Sequence, residues 1–168
     1  MISNALEDTR SGWVPVDENG QYLEPGTLVS ASVIDLRFLG GEPDQGPFWN
    51  VVPLEQPLAS NEPVPHLVQL ASDTTRCLSG AGTGGNAGQV DFVSCETDAA
   101  KWSIICETCQ LGGGNVCEFA AWPRTGDGDK CATSDYDQYG PIQLTACDPF
   151  FEPSLWKQKF SLGQLAFE

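Results

Sequence analysis

The most specific chemistry in this chain belongs to its seven cysteines, which all lie between Cys77 and Cys147. Two pairs, Cys77 with Cys95 and Cys131 with Cys147, are each followed by a tryptophan seven or nine residues later. The same feature in the same place twice predicts the disulfides Cys77–Cys95 and Cys131–Cys147, each worth about 3 kcal/mol in the chain-entropy description. This local density of cysteines is typical of an oxidised extracellular domain.

Three further cysteines, Cys106, Cys109 and Cys117, remain after these two pairs. A Cys-x-x-Cys segment followed by a third cysteine resembles part of a zinc or redox site, but a fourth ligand is missing and the sole histidine is His66. We therefore predict a third disulfide, Cys109–Cys117 or Cys106–Cys117, with one thiol left over. No metal and no cofactor are predicted.

Catalytic chemistry has little support in the sequence. A single histidine that is not near a candidate nucleophile argues against Ser-His or Cys-His catalysis. Two carboxylates can hydrolyse glycosides, but among 23 acidic residues no pair is distinguished by its position. We predict that the protein is not an enzyme.

The charge of the chain limits its partners. With 23 acidic and 8 basic residues the net charge is −15, which disfavours nucleic acid and anionic membrane surfaces. No run of 18 apolar residues is present, so no membrane insertion is predicted. The segment Met1 to Arg10 is polar and lacks the apolar core of a signal peptide, but the cysteines favour a secreted, extracellular protein whose Met1 is not the native start.

The elements that position these residues recur along the chain. Trp49, Trp102 and Trp156 are 53 and 54 residues apart, and each opens a short strand-like run, which indicates three copies of one unit. The 18 glycines and 12 prolines are typical of an all-β protein with many turns and loops. We predict one domain over residues 1–168, with units at about 13–56, 66–108 and 115–163.

Each unit reads as about four short strands, and no segment sustains the apolar period of a helix beyond a short turn near Asn4 to Asp8. Because one such unit cannot bury its own apolar faces, three must share a core, which describes a β-trefoil with inward tryptophans. A β-sandwich is the alternative, but it would not explain the threefold spacing. The clearest predicted strands are Trp13–Val16, Thr27–Leu36, His66–Leu70, Gln89–Cys95, Val116–Trp122 and Ile142–Cys147.

The order of strand, cysteine pair and tryptophan resembles the ricin B-type (R-type) β-trefoil lectin family. The segment from His66 through Cys77 and Cys95 to Ile104 looks like one subdomain of that family, and Ile142–Cys147 looks like the matching strand of another. The resemblance covers roughly residues 66–163 well, and residues 13–56 only through Trp49. It implies a secreted, non-catalytic carbohydrate-binding protein.

The sugar-site positions of that family do not carry over well. Its galactose-binding subdomains tend to have an Asp two residues after the first Cys, a Gln and an aromatic residue before the second, and a Gln two residues before the Trp. The corresponding residues here are Ser79, Asp91, Val93 and Ala100 in the second unit, and Thr133, Gln143, Thr145 and Ser154 in the third. Only Gln143 matches.

The candidate ligand-binding residues therefore lie in and around the third unit. An aromatic ring would stack on a sugar, and carboxylates or amides would bond to its hydroxyls. The predicted set is Trp122, Asp135, Tyr136, Asp137, Tyr139, Gln143 and Phe150. Trp122 equally suits packing at the rim of the core.

A second interpretation is that the molecule binds another protein. Trefoil protease inhibitors insert a rigid loop into an enzyme cleft, and Trp122-Pro123-Arg124-Thr125 offers Arg124 to a trypsin-like specificity pocket. The alternative function is accordingly a β-trefoil protease inhibitor or another secreted, effector-like protein that binds protein through its loops.

Overall fold

The computed structural model of the chain describes residues 2–4, 11–17, 33–40, 49–55, 64–80, 88–110, 113–126, 128–133, 142–147, 158 and 160–162. Side chains are described from residue 49 onward, except for 108–110, 113–115 and 161–162. The predicted ligand residues Asp135, Tyr136, Asp137, Tyr139 and Phe150 lie outside these ranges, and so does Trp156.

The described chain is all-β, as predicted, and its strands are antiparallel. A 3₁₀ turn, Asp98–Ala100, precedes the longest strand. Asn4, where a helical turn was expected to begin, is the last residue of a strand, and residues 5–8 lie outside the described ranges. The twelve strands are β1 Ile2–Asn4, β2 Ser11–Asp17, β3 Val33–Gly40, β4 Trp49–Pro53, β5 Pro65–Leu70, β6 Asp73–Ser79, β7 Asp91–Ser94, β8 Lys101–Gln110, β9 Gly113–Ala121, β10 Lys130–Thr133, β11 Gln143–Ala146 and β12 Phe160–Leu162.

The strand pairings repeat along the chain. Three runs of consecutive strands pair in order: β1–β2–β3, β5–β6–β7 and β9–β10–β11. The first strand of the second run also pairs with β8, and the first strand of the third run with β12. Strands β4, β8 and β12 pair in turn with the strands that open the next run, namely β5, β9 and β1.

The first part of the chain differs from the prediction. Strand β1 lies before the predicted start of the first unit, and the predicted strand Thr27–Leu36 is Val33–Gly40 within the described residues. The reason is the pairing with β2, in which Trp13 lies opposite Phe38 and Ser11 opposite Gly40. This pairing extends the strand to Gly40, past Leu36, where the sequence pattern predicts its end.

Large aromatic rings fill the core. Trp49 and Trp102 are both buried, as the repeat predicted. Phe119 makes edge-to-face contacts with Trp102, at 6.3 Å between ring centroids, and with Phe160, at 5.9 Å. Phe160 is the first residue of β12, as Trp49 is the first residue of β4, and both side chains are buried in the core.

Three disulfides join neighbouring strands. Cys77 is bonded to Cys95 and Cys131 to Cys147, which are the pairings that the sequence predicted. Cys117 is bonded to Cys106, so the pairing Cys109–Cys117 is wrong. The register of β8 and β9 explains the choice, because it places Cys106 directly opposite Cys117 and Cys109 opposite Gly114. Three disulfides indicate an oxidising, extracellular-type environment.

Candidate functional site

The predicted ligand residue Gln143 shares one side of the sheet with Thr133 and Thr145. Thr133 lies opposite Gln143, and Cys131 lies opposite both Thr145 and Ala120. Directly paired residues, and residues two apart on a strand, point to the same side of a sheet. The other side carries Phe119, Ala132 and Leu144 into the core. We call the side formed by Glu118, Ala120, Cys131, Thr133, Gln143 and Thr145 the β9–β11 outer face; its Glu118, Ala120 and Cys131 are buried.

A buried glutamine lies against this face and bonds to its hydroxyl groups. The Nε2 of Gln158 lies 3.1 Å from the Oγ1 of Thr133, 2.9 Å from the Oγ1 of Thr145 and 3.0 Å from the carbonyl oxygen of Ala146, so its two N–H groups are shared among three acceptors. The two hydroxyls are themselves 2.7 Å apart. Gln158 is only 6% exposed, whereas Thr145 is exposed. We call Gln158, Thr133 and Thr145 the Gln158 cluster; its two hydroxyl groups are held in fixed positions by these bonds.

A second feature of the outer face is the turn from Trp122 to Asp129, which is organised by the Asp129 carboxylate. Its Oδ1 accepts hydrogen bonds from the backbone N–H of Thr125 at 2.8 Å and from the hydroxyl of Thr125 at 3.0 Å. Its Oδ2 accepts from the backbone N–H of Gly126 at 3.1 Å. The N–H of Trp122 donates to the Lys101 carbonyl at 3.1 Å, and the N–H of Cys147 donates to the Asp129 carbonyl at 2.9 Å. Both ends of the turn are therefore fixed to the sheet.

Arg124 is part of the same turn and is held by two carboxylates. Its Nη1 lies 2.8 Å from an oxygen of Glu118 and its Nε lies 3.4 Å from Asp129. The Glu118 side chain is 8% exposed and the Asp129 side chain 4%, so both partners are buried. Insertion of Arg124 into a protease pocket would break both ion pairs and leave buried carboxylates without their cation, which is costly.

Asp129 also predicts a pH dependence of stability. Burial alone would raise the pKa of this carboxyl, but hydrogen bonds from Thr125 and Gly126, together with the charge of Arg124, lower it below the ordinary value of about 3.9. Asp129 therefore stabilises the fold above that ordinary pKa, and this contribution is lost as the pH falls through the lower folded value.

The measurement is urea unfolding between pH 7 and pH 2, for wild type and for Asp129→Asn. We expect the variant to be less stable at neutral pH and the difference to shrink below pH 4. Asp98→Asn is the matched control, because Asp98 is exposed and pairs only with the neighbouring Lys101 in the described structure. A constant difference between Asp129→Asn and wild type over the whole pH range would contradict the assignment.

Gln143 and Trp122 are not on neighbouring strands. Gln143 lies on β11, and Trp122 directly follows the last residue of β9. Strand β10 pairs with both of these strands and separates them. Both Gln143 and Trp122 are half-buried. The two predicted ligand residues that the structure describes therefore lie on either side of β10.

The equivalent face of β6 and β7 is apolar at its centre. Cys77 lies opposite Val93 and Ser79 opposite Asp91, as Cys131 and Thr133 lie opposite Thr145 and Gln143. Val93 packs with buried Cys77 and Ala100 in a small apolar cluster, and Ser79 is fully buried. The oxygen Oδ1 of Asp91 accepts a hydrogen bond from the N–H of Phe92 at 2.7 Å. Nothing comparable to the Gln158 cluster occurs among the described residues of this face.

One potential metal-binding arrangement is present in the described part of the chain. A carboxylate oxygen of Glu118 and the sulfur atoms of Cys131 and Cys147 lie within 4.8 Å of one another. Both sulfurs belong to a disulfide and provide no thiolate, and Glu118 is paired with Arg124. This cluster is therefore structural.

Gln158 was missed by the sequence analysis. The sequence analysis took Trp156 as the core aromatic residue of the third unit. Ser154 then stands two residues before the tryptophan, where a sugar-binding subdomain tends to have a glutamine. The structure shows a core phenylalanine, Phe160, at the start of β12, and Gln158 stands two residues before it. The spacing Gln-x-Phe was visible in the sequence, but an aromatic other than tryptophan was not considered.

No protein-family model matches the chain, and no curated protein is significantly similar to it in sequence. The described residues include no helix of the length and apolarity needed to cross a bilayer. Function must therefore be inferred from the geometry of the β9–β11 outer face.

Proposed function

We propose that this protein is a secreted, non-catalytic carbohydrate-binding protein with a β-trefoil fold, and that it binds a glycan on the β9–β11 outer face. The proposal is supported by the strand pairings, by the disulfides and by the chemistry of that face. The three disulfides favour secretion, since such bonds persist in oxidising compartments.

The strand pairings support a trefoil because they recur with a period of four strands. In such a fold the first strand of a unit pairs with the second and the fourth, and the fourth pairs with the first strand of the next unit. Strands β5 and β9 each have this set of partners, and β12 pairs with β1 at the other end of the chain. The disulfides Cys77–Cys95 and Cys131–Cys147 join equivalent hairpins.

The observation that carries the proposed function is the Gln158 cluster. Sugar hydroxyls are recognised by polar donors and acceptors held in fixed positions, because each bond then costs little ordering entropy. Thr133 and Thr145 are held by Gln158, and Gln143 lies opposite Thr133 on the same face. The face offers hydroxyl and amide groups where the equivalent β6–β7 face offers Val93 and Ala100.

The alternative of a protease inhibitor has less support. An inhibitory arginine must extend freely into the enzyme, but Arg124 is held by Glu118 and Asp129. No observation in the described residues favours this function, so we do not propose it.

The test is a glycan array probed with wild type, Gln143→Ala and Asp91→Ala. Asp91 occupies the equivalent position on β7, so its replacement is the matched control. We expect wild type and Asp91→Ala to bind the same glycans, and Gln143→Ala to lose about tenfold or more in affinity, the equivalent of one hydrogen bond of about 1.4 kcal/mol.

Three results would count against the proposal. The first is that folded wild-type protein binds no glycan on the array. The second is that Gln143→Ala and Asp91→Ala lose binding equally. The third is trypsin inhibition that disappears in Arg124→Ala, which would establish the inhibitor instead. Circular dichroism of each variant shows whether a loss of binding comes from a loss of fold.

A further inference from the structure

The Cys106–Cys117 disulfide differs from the other two in the residues that it joins. Each of the others connects a cysteine to the residue two positions beyond its ladder partner; Cys77, for example, lies opposite Val93 and is bonded to Cys95. Cys106 and Cys117 are themselves directly paired on β8 and β9. This bond therefore fastens the two strands at one position of their ladder.

The backbone next to Cys117 is strained. Val116 has a φ of 54°, a left-handed conformation that crowds the Cβ atom and is rare for a β-branched residue. It lies in a β-bulge, because Phe160 pairs with Cys117 and Leu162 with Gly114, which gives β9 one residue more than β12 between the two pairs. Such conformations persist only where the surrounding structure enforces them. Opening the bond at Cys117 removes one of the constraints on Val116.

The same ladder position leads to the Gln158 cluster. Cys117 pairs with Phe160, which is fully buried and contacts Phe119 edge to face at 5.9 Å. Gln158 stands two residues before Phe160 in the chain and is bonded to both hydroxyls of its cluster. A movement of Cys117 is therefore passed to Gln158 through one strand pairing and two residues of chain.

We propose that the Cys106–Cys117 bond is a redox-sensitive switch of glycan binding, closed in the binding form and opened by a dithiol. In the closed form Val116 is held in its left-handed conformation and Gln158 keeps its bonds. In the open form Val116 relaxes to the ordinary β conformation, and the pairing of Cys117 with Phe160 shifts. This inference rests on the proposed carbohydrate binding and adds its regulation.

The chemistry of the opening step is thiol–disulfide exchange. Cys106 is half-buried and Cys117 is fully buried, so a thiolate of the dithiol attacks the sulfur of Cys106 and expels Cys117, which takes up a proton. The second thiol of the reagent then displaces Cys106 as a thiol, and the reagent leaves as its cyclic disulfide. Two electrons and two protons have then passed from the reagent to the protein.

The first measurement is a redox titration of the folded protein with mixtures of reduced and oxidised dithiothreitol, read by thiol alkylation and mass spectrometry. The chain carries Cys109→Ser, because the three disulfides use the other six cysteines and the remaining thiol would exchange with them. We expect Cys106 and Cys117 to be alkylated at a reagent ratio that leaves the other two bonds closed.

Val116→Gly and Val116→Ala test the role of the strained backbone. Glycine adopts a positive φ without a Cβ clash, so the closed form loses its strain and the bond should become about tenfold harder to reduce. Alanine keeps the Cβ atom in the same left-handed conformation and is the matched control. Its titration should stay close to that of the Cys109→Ser parent.

The second measurement compares glycan binding in the two forms. The array is probed with the oxidised Cys109→Ser protein and with Cys106→Ala/Cys109→Ser, which is permanently open and keeps the sulfur of Cys117 in the core. We expect the open form to bind about tenfold more weakly, a typical size for coupling between two sites. Without glycan, the amide NMR signals of Thr133 and Thr145 should differ between the forms, and that of Asp91 should not.

The outcomes separate the two proposals. If the oxidised protein binds no glycan, the proposed function fails, and the amide signals still report whether the bond and the Gln158 cluster are coupled. If the open form binds as tightly as the closed form with unmoved amide signals, the switch is wrong and the proposed function stands. Reduction of all three bonds at the same ratio, or an open form whose circular dichroism shows an unfolded chain, would also overturn the switch.

Discussion

Replacement of Trp102 with alanine is expected to lower the free energy of unfolding by about 3–5 kcal/mol, the range for loss of a large buried aromatic side chain. Trp102 is fully buried and contacts Phe119 edge to face. Its indole N–H donates to the carbonyl of Leu78 at 2.9 Å, so removal also leaves a buried acceptor without this donor. The packing is tight, since a Cβ added at Gly80 would lie 3.3 Å from the indole.

The measurement is urea or thermal unfolding of the oxidised protein, with Trp102→Phe as the matched variant. Phenylalanine keeps an aromatic ring in the core but cannot bond to Leu78, so we expect an intermediate loss of stability. A loss below about 1 kcal/mol in Trp102→Ala would contradict the placement of the indole at the centre of the core, because substitutions of exposed residues have effects of that size.

Removal of the Cys131–Cys147 disulfide is expected to cost about 3 kcal/mol, because the bond closes a segment with a sequence separation of 16. It also joins the ends of β10 and β11, whose outer side carries Thr133, Gln143 and Thr145. We therefore expect the double variant Cys131→Ala/Cys147→Ala to lose both stability and glycan binding. Unfolding in urea and titration with the array-positive sugar measure the two effects.

The double variant Cys77→Ala/Cys95→Ala is the matched control for this prediction. Its bond has a sequence separation of 18, so the expected loss of stability is similar. It joins the β6–β7 hairpin, which lacks the Gln158 cluster, and glycan binding should persist below the temperature of unfolding. Loss of binding in this control, with retention in the Cys131/Cys147 variant, would place the site on the β6–β7 face.

The sequence predicted most accurately those parts of the fold that depend on short sequence patterns, such as strands, cysteine pairs and spaced tryptophans. The predicted strands His66–Leu70 and Ile142–Cys147 agree with β5 and β11 to within one residue at each end. The repeated cysteine pairs gave two disulfides, because each pair flanks one hairpin. The burial of Trp49 and Trp102 followed from their spacing.

The features that sequence reasoning missed depend on contacts between distant strands. The choice of Cys106 over Cys109 is made by the register of β8 and β9, which no local pattern states. The engagement of Arg124 requires Glu118 and Asp129 to be brought to the same side of the sheet by the β9–β10 turn. Gln158 was overlooked because a tryptophan four residues before Phe160 gave a more regular period.

The most direct test of glycan binding on the β9–β11 outer face is an amide chemical-shift titration by NMR with the best array-positive oligosaccharide. We expect saturable shifts that cluster at Thr133, Gln143 and Thr145, with the amides of Ser79, Asp91 and Val93 unmoved. Shifts centred on the β6–β7 hairpin, or none at saturating sugar, would contradict the account.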